Sequence, residues 1–240
     1  MLLSYTAKNR LIKLISYLIP SKKKKRKFRD KHLYITYSDN NQVLMILPDG
    51  SEKKIKHKVN GLNVKFEGKN NTLKFYKEPK IEKINANFHG DNSIAVVKSR
   101  VHVSLRNNCY FKIERNSNLS GVGKMHVYDD NAKIIIGDNC IISWDVDFMA
   151  VDHHTILNDN GDICNYPQPI EIKDHVWIGC GVKICKGVTI AEDNIIGMGA
   201  VVTKSFSEHN CIIAGNPAKI VKRGVNWDAR KIGEYLEQNS

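Results

Sequence analysis

170-IEIKDHVWIGCGVKICKGVTIAEDNIIGMGAVVTKS-205 is the stretch that decides the fold. Read in sixes, it puts Ile172, Ile178, Ile184, Ile190, Ile196 and Val202 in register. Each is followed by a residue that is usually small: Lys173, Gly179, Cys185, Ala191, Gly197 and Thr203. A helix would recur at 3.6 residues and a half-buried strand at two, so a six-residue recurrence predicts a parallel β-helix. Two positions earlier in each hexad stand Ile170, Val176, Val182, Val188, Asn194 and Ala200, mostly small or β-branched and suited to a strand or tight corner. Each hexad is then one short strand plus a corner. Three hexads close a triangular coil, and coils stack at about 4.8 Å with every strand paired to the one above.

Outward from this stretch the repeat loosens. Ile136, Ile142 and Phe148 hold the same register, and Asn71, Asn92, Asn108, Asn131 and Asn139 each follow polar residues and open a strand. Asparagine tolerates left-handed backbone angles, so these positions read as corners of less regular coils of the same helix, beginning near Leu62. Between Phe148 and Ile170 the hexads stop. A polar, proline-bounded excursion over 149–169 contains Asp152-His153-His154-Thr155-Ile156 and Pro167-Gln168-Pro169. Loops carried on a rigid scaffold are where function concentrates. Residues 33–61 read as a β-hairpin around Pro48-Asp49-Gly50, and 222–240 as a tail with a short helix.

The charge is uneven. Residues 1–32 carry eleven Lys or Arg against Asp30 alone, which is +10 of the net +12. Within them Leu3, Ala7, Leu11, Leu14 and Leu18 recur at helical spacing, ahead of a basic run from Lys22 to Lys31. An apolar helical face beside polybasic sequence suits an anionic membrane surface. A helix packed on the protein itself or on a partner fits the same pattern. The apolar part is too interrupted to span a bilayer, and its order relative to the basic cluster is wrong for a signal peptide. Nucleic-acid binding is disfavoured because no aromatic stacking platform is interleaved with the charge. The six cysteines show no metal-ligand spacing and read as structural thiols in a reducing compartment.

The sequence resembles the hexapeptide-repeat acyltransferases, in the branch of maltose- and galactoside-type and polysaccharide O-acetyltransferases. The matching residues, in family order, are Asp152-His153-His154-Thr155-Ile156, Val176-Trp177-Ile178-Gly179, the run from Gly197 to Lys204, and Gly215-Asn216-Pro217-Ala218-Lys219-Ile220. The match is specific over 134–223, weak over 62–133 and absent from the first 60 residues. The implied fold is all-β. It is a left-handed parallel β-helix over 62–221, with an N-terminal amphipathic helix, a looped-out active-site excursion and a short C-terminal helix. Handedness comes from the resemblance, since periodicity does not supply it.

The implied activity is transfer of acetyl from acetyl-CoA to a saccharide hydroxyl, such as that of a bacterial capsular or other surface polysaccharide. The enzyme would be a homotrimer with active sites between subunits, cytoplasmic and peripheral at the inner face of the membrane. A sugar hydroxyl needs a base as it attacks the thioester, and a histidine titrating near about 6.5 suits the task. His154 completes the polysaccharide pattern, whereas ungapped counting in the galactoside pattern reaches His153, so both are candidates. Trp177 matches the residue along the pantetheine arm. Cys180 and Met198 match cofactor-lining positions, Thr203 and Lys204 those beside the CoA nucleotide, and Lys219 and Lys222 those reaching its phosphates. No metal is expected, because no second histidine follows His175 at the spacing of the β-helical zinc hydratases. An amino-sugar or antibiotic acceptor, or a non-catalytic β-helical scaffold, is the alternative.

Overall fold

A computed structural model of the chain describes residues 5–22, 24, 37, 39–121 and 124–239. Most of the basic run expected beside the N-terminal helix, Lys23 and residues 25–31, lies outside them.

The hexads fold as short strands whose large aliphatics all point inward. Ile172, Ile178, Ile184, Ile190, Ile196 and Val202 are at most 1% exposed. Successive coils pair in parallel at a spacing of three hexads: Glu171 with Thr189, Trp177 with Ile195, Lys183 with Val201. Three sheets of eight, seven and six strands result, one on each side of a triangular prism. Because strand side chains alternate, every second residue of a strand points inward. In the seven-stranded sheet one such row is Val64, Ala86, Val103, Met125, Phe148, Ile184 and Val202. Burying each large inward side chain contributes about 1.5–3 kcal/mol, and the hydrophobic core is continuous from Val43 to Ala218.

The coil reaches further toward the N-terminus than the hexads do. Gln42–Ile46 pairs in parallel with Thr72–Tyr76 and antiparallel with Glu52–Lys54, so the lead-in hairpin is built onto the eight-stranded sheet. Register partners there are unevenly spaced, Thr72 with Ile94, Ile94 with Tyr110, and Tyr110 with Lys133. The corners absorb the variation. Asn70, Asn92, Asn108, Asn131 and Asn139 have φ between 54° and 66°, and amides stack from coil to coil, Asn70 Nδ2 donating to Asn92 Oδ1 at 3.1 Å. The expected corner residue Asn71 is not the left-handed one: it stands one step inward of Asn70, fully buried, accepting from Ser93 N–H at 2.9 Å and donating to the Gly90 carbonyl at 2.8 Å. Asn194 is the one hexad position of its kind that is polar. It too is buried, donating to the carbonyls of Ala191 and Glu208 and accepting from Cys211 N–H. Cys109, Cys140 and Cys211 follow left-handed asparagines and bury free thiols at these corners. Burial pushes the Cys140 thiol up to about 11.

Among the described residues, one named helix precedes the prism in the chain and one follows it. α1 spans Tyr5–Tyr17 and leaves Leu14 65% and the following Leu18 82% exposed. α2 spans Ile232–Asn239 and closes the tail.

Candidate active site

The excursion leaves the seven-stranded sheet after Asp147–Met149 and rejoins the eight-stranded sheet at Ile170–Ile172. Its tip is a small antiparallel turn, with Leu157 bridged to Ile163 and Asn158 Oδ1 accepting from the N–H groups of Asn160 and Asp162. Ile156, Leu157, Ile163 and Tyr166 are exposed around it.

At the base of the excursion the chain turns sharply. His153 has φ of 64°, a value that costs a non-glycine residue energy and persists where neighbours hold it. Its Nε2 lies 3.2 Å from His126 Nδ1, with the rings edge to face. His126 comes from the strand Lys124–Val127 of the coil below. Burial, then the charge of His153, holds the His126 pKa below its ordinary value; Lys124 and Lys183 act the same way, and Asp147 opposes them. The next residue, His154, is exposed, and its carbonyl accepts from Asn165 Nδ2 at 2.7 Å. That amide also donates to Asp152 Oδ2 at 2.9 Å, and Asn165 Oδ1 accepts from Ile156 N–H at 2.8 Å. Lys186, one coil on, donates to Asp152 Oδ2 at 2.5 Å and to the Asn165 carbonyl at 2.7 Å. The Lys186 hydrogen bond is the main reason the Asp152 carboxyl titrates below its usual range.

The expected site residues divide between two corners of the prism. Thr203 and Lys204 share the corner of the excursion, because Val201–Val202 lies in the seven-stranded sheet and Phe206 bridges to Ile190 of the eight-stranded one. Both are exposed, and the Lys204 ammonium lies 5.8 Å from the Phe206 ring centre. Cys180 and Met198 stand at the next corner, between the six- and seven-stranded sheets, where Gly199 N–H donates to the Cys180 carbonyl. Gly179 is required there by packing, since a Cβ would sit 2.7 Å from Met198 N. Trp177, 41% exposed, projects from the six-stranded sheet, and Lys219 and Lys222 lie on its last strand, Ala218–Arg223. The chain therefore places the histidines, Thr203 and Lys204 at one corner, and Trp177, Lys219 and Lys222 on one sheet.

Several contributors had no individual signal in the sequence. His126 is visible only once the coil register is known, and Asn165 and Lys186 only once the excursion is folded. Trp227 stacks on His175 at 4.3 Å, donates its Nε1–H to the His175 carbonyl and lies 6.1 Å from Trp177. Asp193 holds the other side of His175 at 2.8 Å. Among the described residues no three His, Cys, Asp or Glu side chains gather as a metal-ligating group.

Comparison with known proteins bears on the family and the fold. Residues 169–204 match the model for the bacterial transferase hexapeptide, six repeats. A polysialic acid O-acetyltransferase of Neisseria meningitidis is 32% identical over 166 residues, covering 67% of this chain and 76% of that protein. The chain belongs to the hexapeptide-repeat acyltransferase family. Its coil is accordingly the left-handed parallel β-helix. The solved polysialic acid O-acetyltransferase OatWY superposes with a TM-score of 0.65 at 26% identity, covering 83% of this acyltransferase and 93% of that chain. The galactoside O-acetyltransferase of Escherichia coli is 38% identical over 95 residues, 39% of this chain and 45% of that protein. The chain thus spans about half the length of several curated relatives it matches.

Proposed function

We propose that this acyltransferase moves acetyl from acetyl-CoA to a hydroxyl of a saccharide, of the surface-polysaccharide class that includes polysialic acid. The observation that carries this reading is the pair of adjacent histidines on a turn pinned to the coil, at the corner that also presents Thr203 and Lys204. In the reaction the acceptor oxygen attacks the thioester carbonyl while an imidazole of His153 or His154 takes the hydroxyl proton. The tetrahedral oxyanion collapses with cleavage of the C–S bond. The imidazolium returns its proton to the departing thiolate, leaving the acetyl ester and free CoA. A backbone N–H at the corner would serve the oxyanion.

The exposed ammonium groups of Lys204, Lys219 and Lys222 suit CoA phosphates, as point charges instead of planar forks. Trp177 offers an indole face to the pantetheine, with Cys180 and Met198 along the same corner. Because Trp177, Cys180, Met198, Lys219 and Lys222 lie away from the corner that carries the histidines, Thr203 and Lys204, we assign the working site to the junction of two protomers in a homotrimer. The exposed apolar tip of the excursion would be covered in the same assembly. Residues 62–221 form the catalytic unit in this reading, and 1–32 an arm. The exposed Leu14 and Leu18 with the neighbouring basic run suit the anionic inner face of a membrane, each basic residue near it contributing about 1 kcal/mol.

The test is release of free thiol from acetyl-CoA in the presence of polysialic acid, galactosides or maltose, with ester formation followed on the sugar. Acceptor-dependent thiol release that His153→Ala or His154→Ala abolishes supports the reading. A chain that binds CoA but releases no thiol with any of these sugars overturns it. Flotation with anionic vesicles, with and without residues 1–32, tests the arm, and sedimentation tests the trimer.

A further inference from the structure

Resting on that reading, we infer that Asn165 and Lys186 are positioning residues, which with Asp152 fix the backbone of the His153-His154 turn for catalysis. The excursion is long and polar, and nothing in the hexad pattern holds its base in place. One side-chain amide does so instead. Asn165 spans the turn by donating to the Asp152 carboxylate and the His154 carbonyl while accepting from Ile156 N–H. All its bonds fall on residues that flank or carry the histidines.

Lys186 ties this knot to the scaffold. It belongs to the next coil, just after Lys183–Cys185, and its ammonium joins the Asp152 carboxylate to the Asn165 carbonyl. The lysine side chain is 18% exposed and that of Asp152 34%, so solvent screens the pair in part, and the second acceptor, the Asn165 carbonyl, helps to keep the ammonium in place. The third tether is His153, whose ring rests on His126. With that ring held against the coil and the His154 carbonyl held by Asn165, the backbone that carries the exposed His154 imidazole is fixed on both sides. A shift of the base by about 1 Å can cost on the order of a hundredfold in rate, so these tethers act on turnover more than on substrate affinity.

The charged and titratable groups facing the Asp152 carboxylate are Lys186 and His153, both favouring its ionised form, and Cys185 of the adjoining strand. Replacing Lys186 by methionine removes both the main influence holding that carboxyl low and the link from Asp152 to the Asn165 carbonyl, so the knot loses its anchor on the coil.

The experiment uses the full chain, acetyl-CoA and polysialic acid, or whichever sugar of the acceptor panel turns over. Asn165→Ala and the isosteric Asn165→Asp, which lacks both donors, should lower kcat by about ten- to a hundredfold with KM for acetyl-CoA within about twofold. Lys186→Met should lower kcat by a similar factor with KM for acetyl-CoA little changed, and Lys186→Arg should restore it. Wild-type kcat in both Asn165 variants, or in Lys186→Met, overturns the inference while the acetyltransferase reading stands. A loss confined to KM, or a kcat loss that Lys186→Arg does not restore, also overturns it. If Asn165→Ala fails to fold by circular dichroism, Asn165→Asp and the two lysine variants decide the outcome. A wild-type chain that releases no thiol overturns the inference and the reading together.

Discussion

His153 and His126, from successive coils, meet nitrogen to nitrogen at 3.2 Å, so one of the two atoms carries a proton and the other is bare. Protonating both rings would break that bond and place two cations side by side. His126, whose folded pKa is depressed by burial and then by His153, resists its proton.

Stability should therefore fall on acidification. Below about pH 6.5 the unfolded chain protonates His126 more readily than the folded one, so the contribution is complete above that value and is lost as pH falls through the folded pKa. The thermal midpoint followed between about pH 8 and pH 5 should decline, and His126→Gln should decline less. Equal slopes in the two proteins would contradict the assignment.

The buried corner ladder gives a second prediction. Asn71→Ala removes the acceptor for Ser93 N–H and the donor to the Gly90 carbonyl, both inside the corner. Leaving these groups unpaired should cost about 1–3 kcal/mol in urea unfolding. A change below the error of the measurement would mean that water or a neighbouring group replaces the amide.

Asp147 gives a third, through an asymmetry. Its residue is 8% exposed, Lys183 donates to its Oδ2 at 2.8 Å, and Lys124 stands 3.9 Å from Oδ1, which has no hydrogen-bond partner among the described residues. Removing Lys183 strands a buried carboxylate, whereas removing the carboxylate leaves a lysine free to reach water. Lys183→Ala should therefore destabilise more than Asp147→Asn, and the double variant should resemble Asp147→Asn. The reverse order in denaturant titrations would show that the pair is not where the strain lies.

Gly179→Ala is the fourth. The added methyl would lie 2.7 Å from Met198 N and 2.9 Å from the Ile196 carbonyl oxygen, both backbone atoms of the next coil that cannot swing aside. Two coils must separate locally, at about 1–3 kcal/mol, measured as a lower urea midpoint with an unchanged m-value. Gly50→Ala, which meets nothing nearby, serves as the spatial control despite its φ of 84°.

The sequence carried the prism because its rule is local: a large aliphatic every six residues names the inward row directly, and Ile172 through Val202 obey it without exception. The N-terminal coils were legible only as asparagine corners, since the register from Thr72 to Tyr110 to Lys133 changes length from coil to coil. The site was partly legible for the same reason. His153, His154 and Trp177 stand in recognisable strings, but His126 reaches His153 only through a coil of irregular length. Asn165 and Lys186 meet Asp152 through a loop whose path no period describes. Contacts of that kind depend on where the chain returns, which local pattern cannot encode.

A stack of parallel coils has no built-in length, because each end offers the same unpaired edges that hold the interior together. Here two of those edges are closed by strands running the wrong way. Glu52–Lys54, charged at every position, lies antiparallel on the eight-stranded sheet at one end, and Ala218–Arg223 folds back antiparallel on the six-stranded sheet at the other. A second molecule arriving head to tail would meet a reversed strand at each of these two edges instead of a parallel template.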